Sequence, residues 1–257
     1  MPTTAHEIRT TPQNLTDEQV VAYRQDGFIH LPGVFARERA ERFRVAAVAA
    51  RERIRDHHDG RAFTQLLQLW RQDDTLRELT LDPDLAGLAT RLADIPLRLW
   101  HDQLLIKDPH NGAATEFHQD QPYWPHQNVR HALSAWVALV DVPVERGCMT
   151  FIPGSQRLDG LRAQDLTDSD DLMRLAPELR WQQRVTIPLR AGDCTFHHAR
   201  LAHTATPNFT DEPRIAHVVI YVDAEAHYAA EPPHPVTRGL GLIPGSRLPD
   251  TEFPPFG

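Results

Sequence analysis

Cysteine is scarce. Cys148 and Cys194 are the only two in 257 residues, and they lie far apart with no metal-type spacing. That excludes a disulfide-stapled scaffold and a thiolate zinc site, and points to a reducing, cytoplasmic compartment. Positive charge is also short: 27 Lys and Arg stand against 35 Asp and Glu, a net charge of −8. Nucleic-acid partners want a basic footprint, and anionic membrane surfaces want basic residues, so both are disfavoured. No apolar run approaches the roughly 20 residues of a membrane span. The start, Met1–Glu7, has no basic region followed by an apolar run, so no signal peptide is expected. There is no internal repeat and no evident interdomain linker. One domain over residues 1–257 is the simplest organisation, and 41% hydrophobic residues can fill its core.

What is present changes character along the chain. Residues 1–14 read as a flexible lead. Thr16-Asp17-Glu18-Gln19 is a capping box that should start a helix ending near Asp26-Gly27. Phe28–Leu31 reads as a strand, residues 36–56 as an amphipathic helix, and 64–94 as two or three further short helices. From Leu97 onward, short apolar or β-branched runs alternate with Pro, Gly and Asp turns: 97–107, 132–140, 148–152, 184–189, 193–197 and 215–222. Helices first and strands after predict an α+β fold with a β-sandwich or barrel core. Residues 157–181 are polar and charged and read as an insertion or lid with short helix. Residues 229–257 are Pro-rich and read as a tail wrapping the surface.

Four stretches carry chemistry. In Thr115–Pro125, His118-x-Asp120 on an extended segment would put an imidazole and a carboxylate on one face. Two such groups and one remote histidine can hold non-haem Fe(II) with open coordination positions. The stretch 191–208 offers three histidines for that third place, His197, His198 and His203, and composition does not choose among them. Arg214 opens a nearly continuous apolar strand, 215–222, where its guanidinium offers a planar fork for a carboxylate. Trp136 alternates with Ser134, Ala138 and Val140 on one strand face.

Together these residues resemble the phytanoyl-CoA dioxygenase family of Fe(II)- and 2-oxoglutarate-dependent oxygenases. The motifs are His-Gln-Asp-x-x-Tyr-Trp-Pro (118–125), Trp-Val-Ala-Leu-Val-Asp-Val-Pro (136–143) and Gly-Cys-Met-Thr-Phe-Ile-Pro-Gly-Ser (147–155), then His203 and Arg214. The likeness covers roughly 17–222. It implies a double-stranded β-helix, a jelly-roll (cupin-like) core flanked by N-terminal helices. It implies His118, Asp120 and His203 as iron ligands, so that His203 is favoured over its neighbours. It implies that Arg214 grips the distal carboxylate of 2-oxoglutarate, with Trp136 and Gln103 or Leu104 lining that pocket. The family often has Ser or Thr two residues after the last histidine. Here that residue is Ala205, and Thr204 or Thr206 is the expected replacement.

The implied cosubstrates are 2-oxoglutarate and O₂, and the implied reaction is hydroxylation or a related C–H oxidation (desaturation, epimerisation or oxidative cyclisation) with formation of succinate and CO₂. Substrate contacts are expected from Lys107, Gln121, Tyr123, Trp124 and His126. The acidic run 163–171 speaks against a CoA thioester and for a small natural product, polar or aminated, while Arg157, Arg162, Arg174 and Arg180 speak the other way. Two other readings use the same residues: a Zn-dependent hydrolase, which leaves Arg214 without a task, and a non-catalytic jelly-roll binding protein. Oligomeric state is not written in the sequence.

Overall fold

Thr16 starts the first helix in the way its side chain allows. In the computed structural model, which describes residues 14–54, 58–59 and 62–256, its hydroxyl accepts from the Gln19 N–H at 3.2 Å. The Gln19 side chain accepts from the Thr16 N–H at 2.9 Å. This reciprocal cap occupies backbone donors that the helix cannot satisfy internally. Helix α1 (Asp17–Asp26) ends at Gly27, whose φ of 84° suits a residue without Cβ. The expected flexible lead, 1–14, lies outside the described residues except for Asn14.

Strand β1 (Phe28–Leu31) and helix α2 (Arg37–Arg53) follow, then β2 (His58–Asp59) and β3 (Thr64–Leu67), then α3 (Asp74–Thr80) and α4 (Pro83–Ala93). Helix was expected from residue 64. Thr64–Leu67 is a strand instead, because it pairs antiparallel with 103–106 and extends the main sheet. The remaining strands are β4 (Leu97–Lys107), β5 (Thr115–His118), β6 (His126–Gln127), β7 (Ala132–Ala138), β8 (Met149–Phe151), β9 (Val185–Ile187), β10 (Cys194–His198), β11 (His203–Ala205), β12 (Arg214–Asp223), β13 (His227–Tyr228) and β14 (Pro255–Phe256). A short helix, α5 (Asp171–Leu175), lies between β8 and β9.

Eight strands form one sheet in the order β1-β10-β7-β12-β4-β3-β2, with β14 also on β4. Four form a second, β5-β11-β8-β9. All pairings are antiparallel, as a jelly-roll core requires. No helix among the described residues is long and apolar enough to cross a membrane.

The two-residue period of the strands decides which side chains see which layer. Across the large sheet, Gln103 sits opposite Val218, Val218 opposite Trp136, and Trp136 opposite Thr195. That row and its same-parity neighbours, including Leu105, Ser134, His197 and Arg214, occupy one face. The alternate residues Leu104, Leu133, Ala135, Phe196 and Val219 join Tyr23, Phe43, Leu79 and Leu85 of the helices in a separate buried core. Each such fully buried aliphatic or aromatic side chain contributes roughly 1.5–3 kcal/mol.

Two peripheral segments complete the body. In 157–181 the acids are matched by arginines, Arg162 with Asp171, Arg174 with Asp168 and Arg180 with Asp170. The segment is therefore not the anionic surface its sequence suggests. Its apolar residues Leu172, Met173 and Leu179 pack with Ile152 and Ala202. The Pro-rich tail is partly buried rather than laid on the surface. The fully buried Arg98 donates to the carbonyls of Ala224, Leu248 and Phe253 and pairs with Asp250. Phe253 stacks on Trp100 with ring centroids 5.1 Å apart.

The turn before β10 needs its glycine. Gly192 has φ of 93°, and a Cβ there would lie 2.1 Å from the Phe35 carbonyl oxygen. Gly192→Ala is expected to cost about 3 kcal/mol or more, from backbone strain and overlap together. A thermal melt should show the midpoint falling by about 6–12 °C.

Candidate active site

β5 and β11 are paired so that His118 and His203 are direct cross-strand partners. Such partners share a face, and the two rings lie with centroids 4.2 Å apart. Each ring is oriented from behind. His118 Nδ1 donates to the Glu116 carbonyl at 2.7 Å, and His203 Nδ1 donates to the Leu201 carbonyl at 2.9 Å. A proton on Nδ1 leaves the Nε2 lone pair of both rings for a metal.

Asp120 arrives by another route than strand parity. β5 stops at His118, and Asp120 has helical φ and ψ of −73° and −42°. The bend folds its carboxylate back, so Oδ1 lies 3.6 Å from His118 Nε2 and 3.8 Å from His203 Nε2. The three ligand atoms fall within 4.8 Å of one another. Two neutral imidazoles and one carboxylate on one side of a point suit Fe(II) and leave the other side open.

Asp120 Oδ2 faces the large sheet. Ser134 Oγ donates to it at 3.3 Å, and His197 Nε2 lies 3.5 Å away. Ser134 and His197 are themselves cross-strand partners on β7 and β10. Burial raises the Asp120 carboxyl, but His203, His118 and His197 outweigh it and hold it well below the usual carboxylate range. Burial pushes His203 down to about 3. Both groups are thus deprotonated at neutral pH, as ligands must be.

His198 is excluded by its surroundings. Its Nδ1 accepts from the Arg200 N–H at 2.9 Å, and its ring packs edge-on against His131. His197 has the orienting position instead. Replacing it with Phe should weaken metal affinity by about 10- to 100-fold, the usual cost of losing a partner behind a ligand. An anaerobic metal titration measures this, and Ser134→Ala should move affinity in the same direction.

A cavity of about 370 Å³ opens beside the three ligands. Arg214 lies in its wall, 1% exposed, with one Nη donating to the Leu105 carbonyl at 3.0 Å. Its Nε has no partner, and no carboxylate pairs with it among the described residues. The guanidinium carbon sits 5.3 Å from the Trp136 ring. Burial lowers Arg214 to about 9, so it stays cationic at neutral pH. A buried, unpaired cation is costly unless an anion joins it. Gly147 makes room at this end: a Cβ there would lie 3.4 Å from Arg214 Nε and 3.3 Å from the Thr206 carbonyl.

The other expected contacts divide. Gln103, Trp136, Tyr123 and Trp124 line the cavity, together with Ala205. Leu104 does not, because strand parity turns it into the helical core. Thr204 and Thr206 do not replace the hydroxyl absent at Ala205, since their Oγ atoms donate to the carbonyls of Thr115 and Val144. Lys107 is drawn off the cavity wall by three carbonyls, those of Ala113, Ala205 and Thr206. Gln121 is not among the lining residues; its backbone N–H ties the bend to Ala199. His126 packs against Trp100 with centroids 4.1 Å apart.

Several lining residues carry no local signal in the sequence. Phe63, Leu166, Pro233 and His234 come from segments distant from the ligands. By contrast, His101 and Leu105 lie two residues either side of Gln103, and Ser134 two before Trp136, so strand alternation marks all three.

The phytanoyl-CoA dioxygenase family profile matches residues 23–216. The solved structure of SnoK, a non-haem alpha-ketoglutarate-dependent carbocyclase from nogalamycin biosynthesis, is 37% identical. It covers 96% of this chain and 99% of its own, with a TM-score of 0.87. The epimerase SnoN, solved with Fe³⁺, alpha-ketoglutarate and nogalamycin RO, is 35% identical. It covers 94% of this chain and 98% of its own, with a TM-score of 0.81. The mouse phytanoyl-CoA dioxygenase domain-containing protein 1 is 26% identical over 193 residues, which are 72% of this chain and 62% of that protein. The match thus spans less than two thirds of that curated relative's length. Sequence profile, fold and ligand geometry agree, and the chain belongs to the phytanoyl-CoA dioxygenase family.

Proposed function

We propose that this protein is an Fe(II)- and 2-oxoglutarate-dependent oxygenase that oxidises a C–H bond of a small natural product. The observation that carries the reading is the juxtaposition, in one cavity, of the His118–Asp120–His203 cluster and a buried Arg214 that has no carboxylate partner among the described residues. A hydrolytic zinc site would use the first and leave the second unexplained. SnoN's complex with Fe³⁺ and alpha-ketoglutarate supports the same cofactor pair here. The nogalamycin context of SnoK and SnoN supports a role in antibiotic-type biosynthesis.

His118, Asp120 and His203 would hold the metal through Nε2, Oδ1 and Nε2. Arg214 would receive the distal carboxylate of 2-oxoglutarate by charge-assisted hydrogen bonds, with Trp136 and Gln103 along its length. Bound iron and 2-oxoglutarate supply the oxidising power: 2-oxoglutarate, O₂ and R–H give succinate, CO₂ and R–OH, or the equivalent two-electron oxidation of the substrate. The protein's share is position and exclusion of water. Ser134 and His197 keep Asp120 Oδ2 occupied, which leaves Oδ1 for the ion. Residues 157–181 serve as a lid, with Leu166 at the cavity wall and Gln164 tied to Gln119 and Tyr123. Two buried free cysteines fit a cytoplasmic location.

Incubation with Fe(II), ascorbate and 2-oxoglutarate tests the reading. Succinate should form in the presence of Fe(II) and not with Zn(II) in its place. Hydrolysis of a generic ester supported by Zn(II), without succinate under Fe(II), would overturn it.

A further inference from the structure

Few of the residues that line the cavity are charged. Among the described residues that line it, the ions are Asp120 and Arg214. If the proposed function holds, and this inference rests on it, Asp120 belongs to the metal and Arg214 to 2-oxoglutarate. Neither remains for a substrate carboxylate, phosphate or amine. Lys107 cannot substitute, because its ammonium already serves three backbone carbonyls.

The end away from Arg214 is built differently. Trp124, joined through ring contacts of His126 and Trp100 to His234, and Pro235 give it apolar walls, and His101 and His234 stand there with ring centroids 5.3 Å apart. The two imidazoles have opposite hydrogen-bonding character. His101 Nδ1 donates to the Asp102 carbonyl at 3.1 Å, so its Nε2 is an acceptor. That Nε2 is buried and has no partner among the described residues. His234 Nδ1 accepts from the Val236 N–H at 3.3 Å, so its Nε2 carries the proton and is a donor. Burial lowers His101 to about 3 and His234 to about 4. Both are uncharged at neutral pH and keep these roles.

We infer that His101 and His234 form the substrate's polar clamp, and that the part of the substrate entering the cavity is an uncharged, hydroxylated ring system. One hydroxyl can donate to His101 Nε2 and accept from His234 Nε2–H, while the flat apolar remainder lies against Trp124 and the prolines. A buried acceptor without a partner is costly, and a ligand hydroxyl relieves it. A site of this kind also rejects analogues that lack the hydroxyl, because its own groups are then left unpaired.

Binding to the intact, anaerobic Fe(II)–2-oxoglutarate protein tests this with a matched pair of probes. Aloin is a neutral hydroxylated anthrone glucoside; carminic acid is an anthraquinone glucoside bearing a carboxylate. L-Proline and methylphosphonate serve as small charged probes. Binding is read by calorimetry and by quenching of tryptophan fluorescence. Aloin should bind at least about tenfold more tightly than any charged probe. His101→Leu and His234→Leu should each weaken aloin by about fivefold or more, as loss of one buried partner does. His234 lies in the half-exposed tail, so its variant guards against misfolding at His101, and melting curves check both. Tighter binding of a charged probe, no aloin binding, or aloin affinity unmoved by either substitution overturns the inference. Absence of the visible Fe(II)–2-oxoglutarate band before any probe is added would instead sink the oxygenase reading.

Discussion

Asp120→Ala should abolish tight Fe(II) binding and reduce 2-oxoglutarate turnover by more than about 100-fold, beyond the loss expected for a residue behind the ligands. Asp120 supplies the cluster's one carboxylate, and its Oδ1 is the atom nearest both imidazole Nε2 atoms. Alanine leaves two neutral nitrogens and no anion to balance the ion's charge. The fold should survive. Asp120 lies in a bend after β5, and among the described residues its side chain's polar contacts are to Ser134 and the three histidines of the site. The apo melting temperature should therefore stay within a few degrees of wild type. Anaerobic Fe(II) titration with a melt of the metal-free protein checks both halves. Unchanged iron affinity would mean that the ion sits elsewhere.

Arg214→Met should raise the 2-oxoglutarate requirement by about 100-fold or more, since breaking a buried charge pair costs about 3–5 kcal/mol. Iron affinity should change by less than about threefold, because Arg214 contacts none of the three ligands. A purely structural arginine would behave differently. In the apo protein Arg214 is a buried cation whose described partners are the Leu105 carbonyl and the Trp136 face. Replacing it with an unbranched apolar side chain should leave apo stability unchanged or raise it. Arg214→Lys should not restore affinity, since an ammonium offers a point charge in place of a planar fork. KM for 2-oxoglutarate, iron affinity and apo melting temperature together separate the roles.

The strands that build the cavity floor were legible in the sequence because they are long and apolar. Leu97–Lys107 and Arg214–Asp223 are buried along nearly their whole length, so their composition alone marks them. The helix start at Thr16 was legible because a capping box is local chemistry. Thr64–Leu67 was not, since four residues carry too little periodicity to outweigh the helical stretch after them. The His118-x-Asp120 spacing pointed to the right residues for a wrong geometric reason. A bend, not strand alternation, brings the carboxylate to the imidazoles. Leu104 and Gln103 are neighbours in sequence and lie on opposite faces of β4, and only the register with β12 separates them. Lys107 shares the face of Gln103, yet its flexible stem reaches carbonyls on other elements. The acids of 165–171 and the nearby Arg162, Arg174 and Arg180 are all visible in the sequence, but which of them pair is set by the fold of the segment. Leu166 and His234 reach the cavity through tertiary contacts that no local pattern encodes.

The account stands on one ferrous ion held by His118, Asp120 and His203, with Arg214 at the far end of 2-oxoglutarate. Anaerobic addition of Fe(II) and then 2-oxoglutarate, followed by visible absorption, tests it most directly. The account predicts a charge-transfer band that saturates at one Fe(II) and one 2-oxoglutarate per chain, is lost in His203→Ala and is retained in His198→Ala. A band that survives in His203→Ala, or the absence of any band in the wild-type protein, would contradict it.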